Sequence, residues 1–189
     1  MINKKFIKSL RNNYEKKEAE RSHIIGMSNK ILSNSKKAIF SLHRDDIKGA
    51  EEKLSEAEEI MKKMKDEIGY ERMSKEGSYA AASEEYVEAK MFYFFMTGKK
   101  IDKIEGACLG IESYLGGMCD LAGELVRRAV KEATEGRLEE VERISLVINE
   151  IMAELIEFNM TGALRTKYDQ AKHSLKNMEK INYDIKVKR

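Results

Sequence analysis

YAAASEEYVEAKMFYFFM (Tyr79–Met96) and GACLGIESYLGGMCDLAGELV (Gly106–Val126) decide the fold, because they stand apart from a chain in which 36% of residues are charged. In the second stretch only Glu112, Asp120 and Glu124 carry charge besides an otherwise apolar run. A helix that is apolar on most sides is buried against neighbouring helices or subunits. The two stretches are therefore expected at the centre of a bundle or of an oligomer interface.

Working outward, every other segment also reads as helix. Proline is absent, and Lys, Glu, Ala, Ile, Leu and Met dominate, most of them good helix formers. A first helix is predicted from Asn3 to His43, with apolar residues at Ile24, Ile25, Met27, Ile31, Leu32, Ala38, Ile39 and Leu42 on helical spacing. Asp45 or Asp46 can cap a second helix that stops near Gly69. A third spans Ser78–Met96, a short connector or helical turn holds Asp102–Glu105, and a fourth covers Ile111–Thr134. A fifth runs from Leu138 to Asn159 and the last from Leu164 to near the C-terminus. The expectation is an all-α antiparallel bundle of about six to seven helices with short loops, in one domain over 1–189. Residues 1–20, densely charged with few apolar positions, read as an exposed N-terminal extension.

The net charge is +2, so bulk electrostatics does not announce a nucleic acid, and any basic site must come from local clustering. No signal-peptide pattern opens Met1–Arg11, and the apolar runs are too short and interrupted to span a bilayer. Cys108 and Cys119, eleven residues apart on the same stretch, would sit about 16 Å apart on a helix and cannot bridge each other. A cytoplasmic protein with no membrane partner is expected.

Carboxylates inside apolar segments are costly unless paired or metal-bound, so the few found there carry the most information. Glu85 and Glu88 are three apart, hence on one face of their helix; Asp120 and Glu124 are four apart on one face of theirs. If those faces meet, hard oxygen ligands converge in a way that suits Mg²⁺ or Mn²⁺. The other reading is structural or solvated acids, since the same spacing recurs at Glu56/Glu59 and Glu139/Glu142 on evident surface faces. Both readings stand on spacing alone.

Four stretches in order resemble one family. EEYVEAKMFYFFMTG (Glu84–Gly98) and YLGGMCDLAGELVRR (Tyr114–Arg128) are similar to segments of the TRAX branch of the translin/TRAX family, and KKAIFSLHR (Lys36–Arg44) resembles the family's signature near the end of the first helix. LRTKYDQAKHSLKNMEKINYDIKVKR (Leu164–Arg189) looks like the C-terminal helix of its translin branch. The resemblance implies a helical protein that binds single-stranded RNA or DNA. For the TRAX branch it implies a Mg²⁺-dependent endoribonuclease cutting single-stranded RNA. By position it gives Glu85, Glu88 and Asp120 as catalytic metal-binding acids, and Glu124 as a further, lower-ranked ligand. It also implies a closed homo-oligomer, an octamer, with inward-facing sites. Two departures bear on this. A further acid sometimes implicated three residues before Glu85 is Ala82 here, and Glu84 would point about 100° away from Glu85. TRAX-like acids combined with a translin-like last helix fit self-assembly without a second subunit.

Single strands are held by basic grooves and stacking aromatics. Candidate contacts are Lys36, Lys37, His43 and Arg44 at the end of the first helix, and Arg127, Arg128 and Lys131 beyond the acid motif. Each has a plainer alternative: a solvated helix edge for the lysines, a structural hydrogen bond for His43, an ion pair for the arginines. Phe92–Phe95 covers all sides of its helix and reads as packing rather than as a stacking platform. Three functions remain open at this point: a metal-dependent endoribonuclease, a non-catalytic single-strand-binding oligomer like translin, and a purely structural helical oligomer.

Overall fold

The computed structural model describes residues 1–187. Among them the chain forms seven helices and no strand: α1 (Lys4–His43), α2 (Ile47–Ile68), α3 (Tyr70–Met73), α4 (Gly77–Met96), α5 (Ile111–Thr134), α6 (Leu138–Leu155) and α7 (Gly162–Val187). The all-α bundle expected from the sequence is what forms. The single turn α3 was not anticipated, and the fifth predicted helix ends at Leu155 rather than Asn159. None of the described helices is long and apolar enough to cross a membrane.

The caps are local chemistry. The Asn3 side chain accepts from the Lys5 and Phe6 amides at 3.1 and 3.2 Å, satisfying orphan donors at the start of α1. Asp46 does the same for α2, accepting from the Gly49 amide at 2.9 Å. Between them Asp45 takes φ +63°, a left-handed conformation that Asp tolerates better than most residues. That corner is tied to α5: Asp45 accepts from Arg128 at 2.6 Å and from Lys131 at 2.5 Å, and Lys131 also donates to the His43 carbonyl at 2.9 Å.

The two halves of α1 differ. Up to His23 nearly every residue is exposed, Phe6, Leu10 and Tyr14 included; from Ile24 onward one stripe is buried against α2 and α4. The core continues through Tyr86, Val87 and Phe92 of α4 and Leu121 and Leu125 of α5 to Ile144 and Ile148 of α6. Phe92, Tyr93 and Phe95 are buried and Phe94 partly so, the packing role expected of them. Cys119 is buried, Cys108 half-buried, and both are free thiols.

Antiparallel neighbours joined by short loops are found at α1/α2 and α5/α6, as expected. The central pair departs from that pattern. Contacts advance in the same direction along both helices: Tyr79 donates to the Cys108 carbonyl at 2.7 Å, and Glu84 and Val87 then lie against Gly116 and Gly117. So α4 and α5 run parallel, and residues 97–110 carry the chain back along their length without helix. The reason for their closeness is Gly117. A Cβ there would stand 2.7 Å from a Val87 methyl and 2.9 Å from the Glu84 carbonyl oxygen. Two parallel helices in near backbone contact set their acids abreast, and this register builds the site.

Candidate active site

Glu84, Glu85 and Glu88 of α4 face Asp120 and Glu124 of α5, flanked by α1 and by Lys167 of α7. Glu88 lies deepest, 7% exposed. Burial first, then repulsion from Asp120, Glu85 and Glu124, pushes its carboxyl up to about 9. Glu85 is raised by the same causes, burial leading, with Lys36 opposing them from 4.0 Å. These mutual effects show that all four acids named from the sequence occupy one electrostatic neighbourhood. At neutral pH the cluster carries more negative charge than it can hold unaided, and Glu88 responds by keeping its proton.

The rim supplies partial relief. His43, its side chain 9% exposed, bonds Glu124 through Nε2 while its ring packs 4.9 Å from Phe92. Burial pushes Glu124 up, but His43 and then Arg127, 3.4 Å away, outweigh it and hold the carboxyl below its usual range. Lys167 was not foreseen. Its ammonium bridges Asp120 at 2.5 Å and Glu84 at 2.9 Å; although burial opposes its charge, the two acids raise its pKa. Glu84, expected to point away, is thereby drawn into the site. The KYD triplet in α7 gave no signal for this, because nothing local to Lys167 says which helix it will face.

The basic candidates separate into two groups. Lys36 and Arg127 are exposed and pair weakly with cluster acids, so their charges line the mouth. Arg44 is exposed, its guanidinium 5.5 Å over the Phe40 ring. Lys37 lies on the opposite flank of α1, in a groove with Glu56 and Glu59 of α2, away from the acids. Arg128 turns inward instead of toward a ligand: its side chain is 8% exposed, and it donates to Asp45 and the Leu42 carbonyl and pairs with buried Glu132. Lys131 is likewise engaged at the Asp45 corner.

The acids named from the sequence are ones that could hold a divalent cation. The donors are all carboxylate oxygens, the hard ligands that Mg²⁺ and Mn²⁺ take, and Glu88 is a buried acid on which burial and repulsion from three carboxylates outweigh the attraction of Lys167. The chemistry of the donor set therefore fits. Among the described residues no three acids already close on a common metal position; Asp120 is turned to Lys167 and Glu124 to His43.

Comparison with known proteins agrees with this architecture. The chain is 37% identical over 92 residues to translin of Gallus gallus and 34% identical over the same length to translin of Homo sapiens. Each match spans 48% of this chain and 40% of the relative, less than half the length of those translins. An uncharacterized protein of Methanocaldococcus jannaschii is 28% identical over 174 residues, 89% of this chain and 76% of that one. Among solved structures, AfC3PO superposes with a TM-score of 0.85 at 26% identity over 97% of this chain and 98% of its own. The AfC3PO–duplex RNA complex gives 0.82 at 25% over 97% of each. Apo-NeC3PO gives 0.82 at 23% over 93% and 94%, a likeness of fold. The Translin family model matches residues 19–189, all but the exposed start of α1, and the chain belongs to the translin family.

Proposed function

We propose that this protein is a metal-dependent endoribonuclease acting on single-stranded RNA, with Glu85, Glu88 and Asp120 as its metal-holding acids and Glu124 as a supporting ligand. The observation that carries this reading is Glu88: a buried carboxyl in a ring of other carboxyls, without the direct ion pairs that Arg128 and Arg137 give the buried Glu132. RNA as the ligand class is supported by the likeness to AfC3PO, which was solved with duplex RNA. Single-strandedness rests on the family resemblance.

Each residue's task follows from its surroundings. Glu85 and Glu88 would hold Mg²⁺ or Mn²⁺ from α4, and Asp120 from α5. A metal so held lowers the pKa of bound water and offsets charge building on a phosphodiester. His43 fixes Glu124 from α1, which keeps the inner acids aligned. Lys36 and Arg127, at the mouth, provide the cationic rim that draws the RNA backbone in. Lys167 neutralises Asp120 and Glu84 until a cation takes over that role, and then has an ammonium free for a phosphate oxygen. Arg128, engaged at the Asp45 corner, positions α5 rather than touching RNA.

Self-assembly belongs to the same proposal. Phe6, Leu10 and Tyr14 on the α1 arm and Tyr183 and Val187 on α7 are exposed, and contiguous exposed apolar surface marks interaction sites. We expect a homo-oligomer, an octameric closed shell, in the cytoplasm; a mass measurement in solution checks the subunit count.

The second reading, a non-catalytic single-strand binder, is favoured by one observation: Lys167 already occupies Asp120. Cleavage of end-labelled single-stranded RNA separates the two. Wild type with Mg²⁺ or Mn²⁺ is expected to yield internal fragments that EDTA abolishes, whereas Glu88→Gln and Asp120→Asn yield none. Binding without cleavage in wild type leaves the second reading; cleavage that survives both substitutions removes these acids from the chemistry.

A further inference from the structure

Phe40 is a large aromatic left 57% exposed beside the acidic cluster. Singly exposed apolar side chains are common and need no explanation, so exposure alone argues nothing. Its placement does. Phe40 lies between Lys36 and His43 on α1, and the three positions fall within about 60° around the helix axis. Lys36 faces Glu85, and His43 is bonded to Glu124. The residue between them is therefore fixed at the edge of the acidic cluster, about 6 Å along the axis from the first and about 4.5 Å from the second. It lies one step further round toward solvent than either. Arg44 sets its guanidinium 5.5 Å from the ring centroid, adding a cation at the same edge.

We propose that Phe40 is a stacking platform for an unpaired nucleobase of the RNA strand, holding the nucleotide next to the phosphodiester presented to the acids, with Arg44 contacting that nucleotide's phosphate. This deepens the nuclease reading and rests on it for the identity of the ligand. The chemistry is general. An aromatic face accepts any base, contributes sequence-tolerant affinity, and needs a backbone-tracking cation beside it. A paired base inside a duplex has its faces covered, so a platform at the mouth favours single-stranded over duplex substrate. It is a positioning element that takes no part in proton or metal chemistry.

The test exploits a property of the sequence: the chain has no tryptophan. In full-length Phe40→Trp the new indole is the sole tryptophan, and a base stacked on it quenches its emission. Single-stranded RNA is titrated in parallel with an abasic phosphodiester oligomer of equal length at the same salt, in EDTA so that nothing is cut. Quenching by the base-bearing strand alone is expected, together with ~10-fold weaker single-strand binding in Phe40→Ala and an unchanged salt dependence. Equal quenching by both oligomers, or none, overturns the platform. So does a change in oligomer mass in Phe40→Ala, which would make the ring a subunit contact. Repeating the titration in Phe40→Trp/Asp120→Asn keeps the two readings distinguishable. Quenching there with cleavage lost supports both, whereas quenching in a wild-type-site protein that never cleaves retains the platform and removes the nuclease.

Discussion

Glu85–Glu88 on α4 and Glu56–Glu59 on α2 have the same spacing, the same residue types and the same helical phase, yet they are chemically unlike. Glu56 and Glu59 are exposed, and a hydrogen bond from Lys53 holds Glu56 below its usual range. Glu88 is buried and, by burial first and then repulsion from its neighbouring acids, is pushed up to about 9. Glu132 of α5 adds a third case. It is as buried as Glu88, at 1%, but it is paired with Arg128 and Arg137; although burial pushes it up, those cations outweigh it and its carboxyl is lowered. Burial with a directly bonded cation makes a structural ion pair, whereas burial among carboxylates, with Lys167 acting only at a distance, leaves the carboxyl raised. Spacing distinguishes neither from a solvated face.

The strongest way to break this comparison is kinetic. Glu88→Gln is expected to cost at least ~100-fold in metal-dependent RNA cleavage, the usual scale for removing one group that stabilises developing charge, while Glu56→Gln leaves the rate at wild type. A single-turnover assay on a labelled strand reads both. Next in size is the structural pair. Arg128→Ala removes one of the two cations on the buried Glu132 carboxylate and the tie to the Asp45 corner, and is expected to lower unfolding free energy by about 2 kcal/mol, measured by denaturant titration. Gly117→Ala forces α4 and α5 apart at Val87 and the Glu84 carbonyl. Overpacking of that kind costs ~1–3 kcal/mol, and cleavage should fall with it because the acids lose their register.

The pH dependence sharpens the contrast further. A carboxyl whose folded pKa lies above its unfolded value stabilises the fold fully below the unfolded pKa, and that contribution drains away as pH rises toward the folded one. In EDTA, stability should therefore decline between about pH 4.5 and about 9 through Glu88. Glu88→Gln should flatten that slope and Glu56→Gln should not. Mn²⁺ affinity should rise over the same window, since binding must displace the proton; calorimetry in buffers of different ionisation heat counts the protons released. Glu132, with its depressed pKa, has the opposite sign: its contribution is present above the unfolded pKa and is lost on acidification. The smallest effect is the control, with Glu56→Gln and Glu59→Gln each indistinguishable from wild type in stability by denaturant titration.

Much of this was legible in the chain itself. Capping residues and glycines placed most helix ends within a residue or two, because those signals are local: Asp46 caps α2, and Gly69, Gly98 and Gly136 follow helix ends. The interior acids were legible because their apolar neighbours are adjacent in sequence. The parallel run of α4 and α5 was not, since Asp102–Glu105 read as a short connector or helical turn and nothing there states direction. The Gly116–Gly117 pair that permits the close approach drew no reading from the sequence, since two glycines name no partner helix. Lys167 and the inward turn of Arg128 were hidden for a related reason. A cation's partner is set by packing between distant helices, so Arg128 resembled its exposed neighbour Arg127 until the Asp45 corner was in place.

Crystals of the full chain soaked in Mn²⁺ and measured at the manganese edge test the proposed role of these acids most directly. An anomalous peak ligated by Glu85, Glu88 and Asp120, with the Lys167 ammonium moved off Asp120, is the expected result. Saturating Mn²⁺ that leaves no peak there, with Lys167 still bridging Asp120 and Glu84, would contradict it and make the cluster an ion-pair network like that of Glu132.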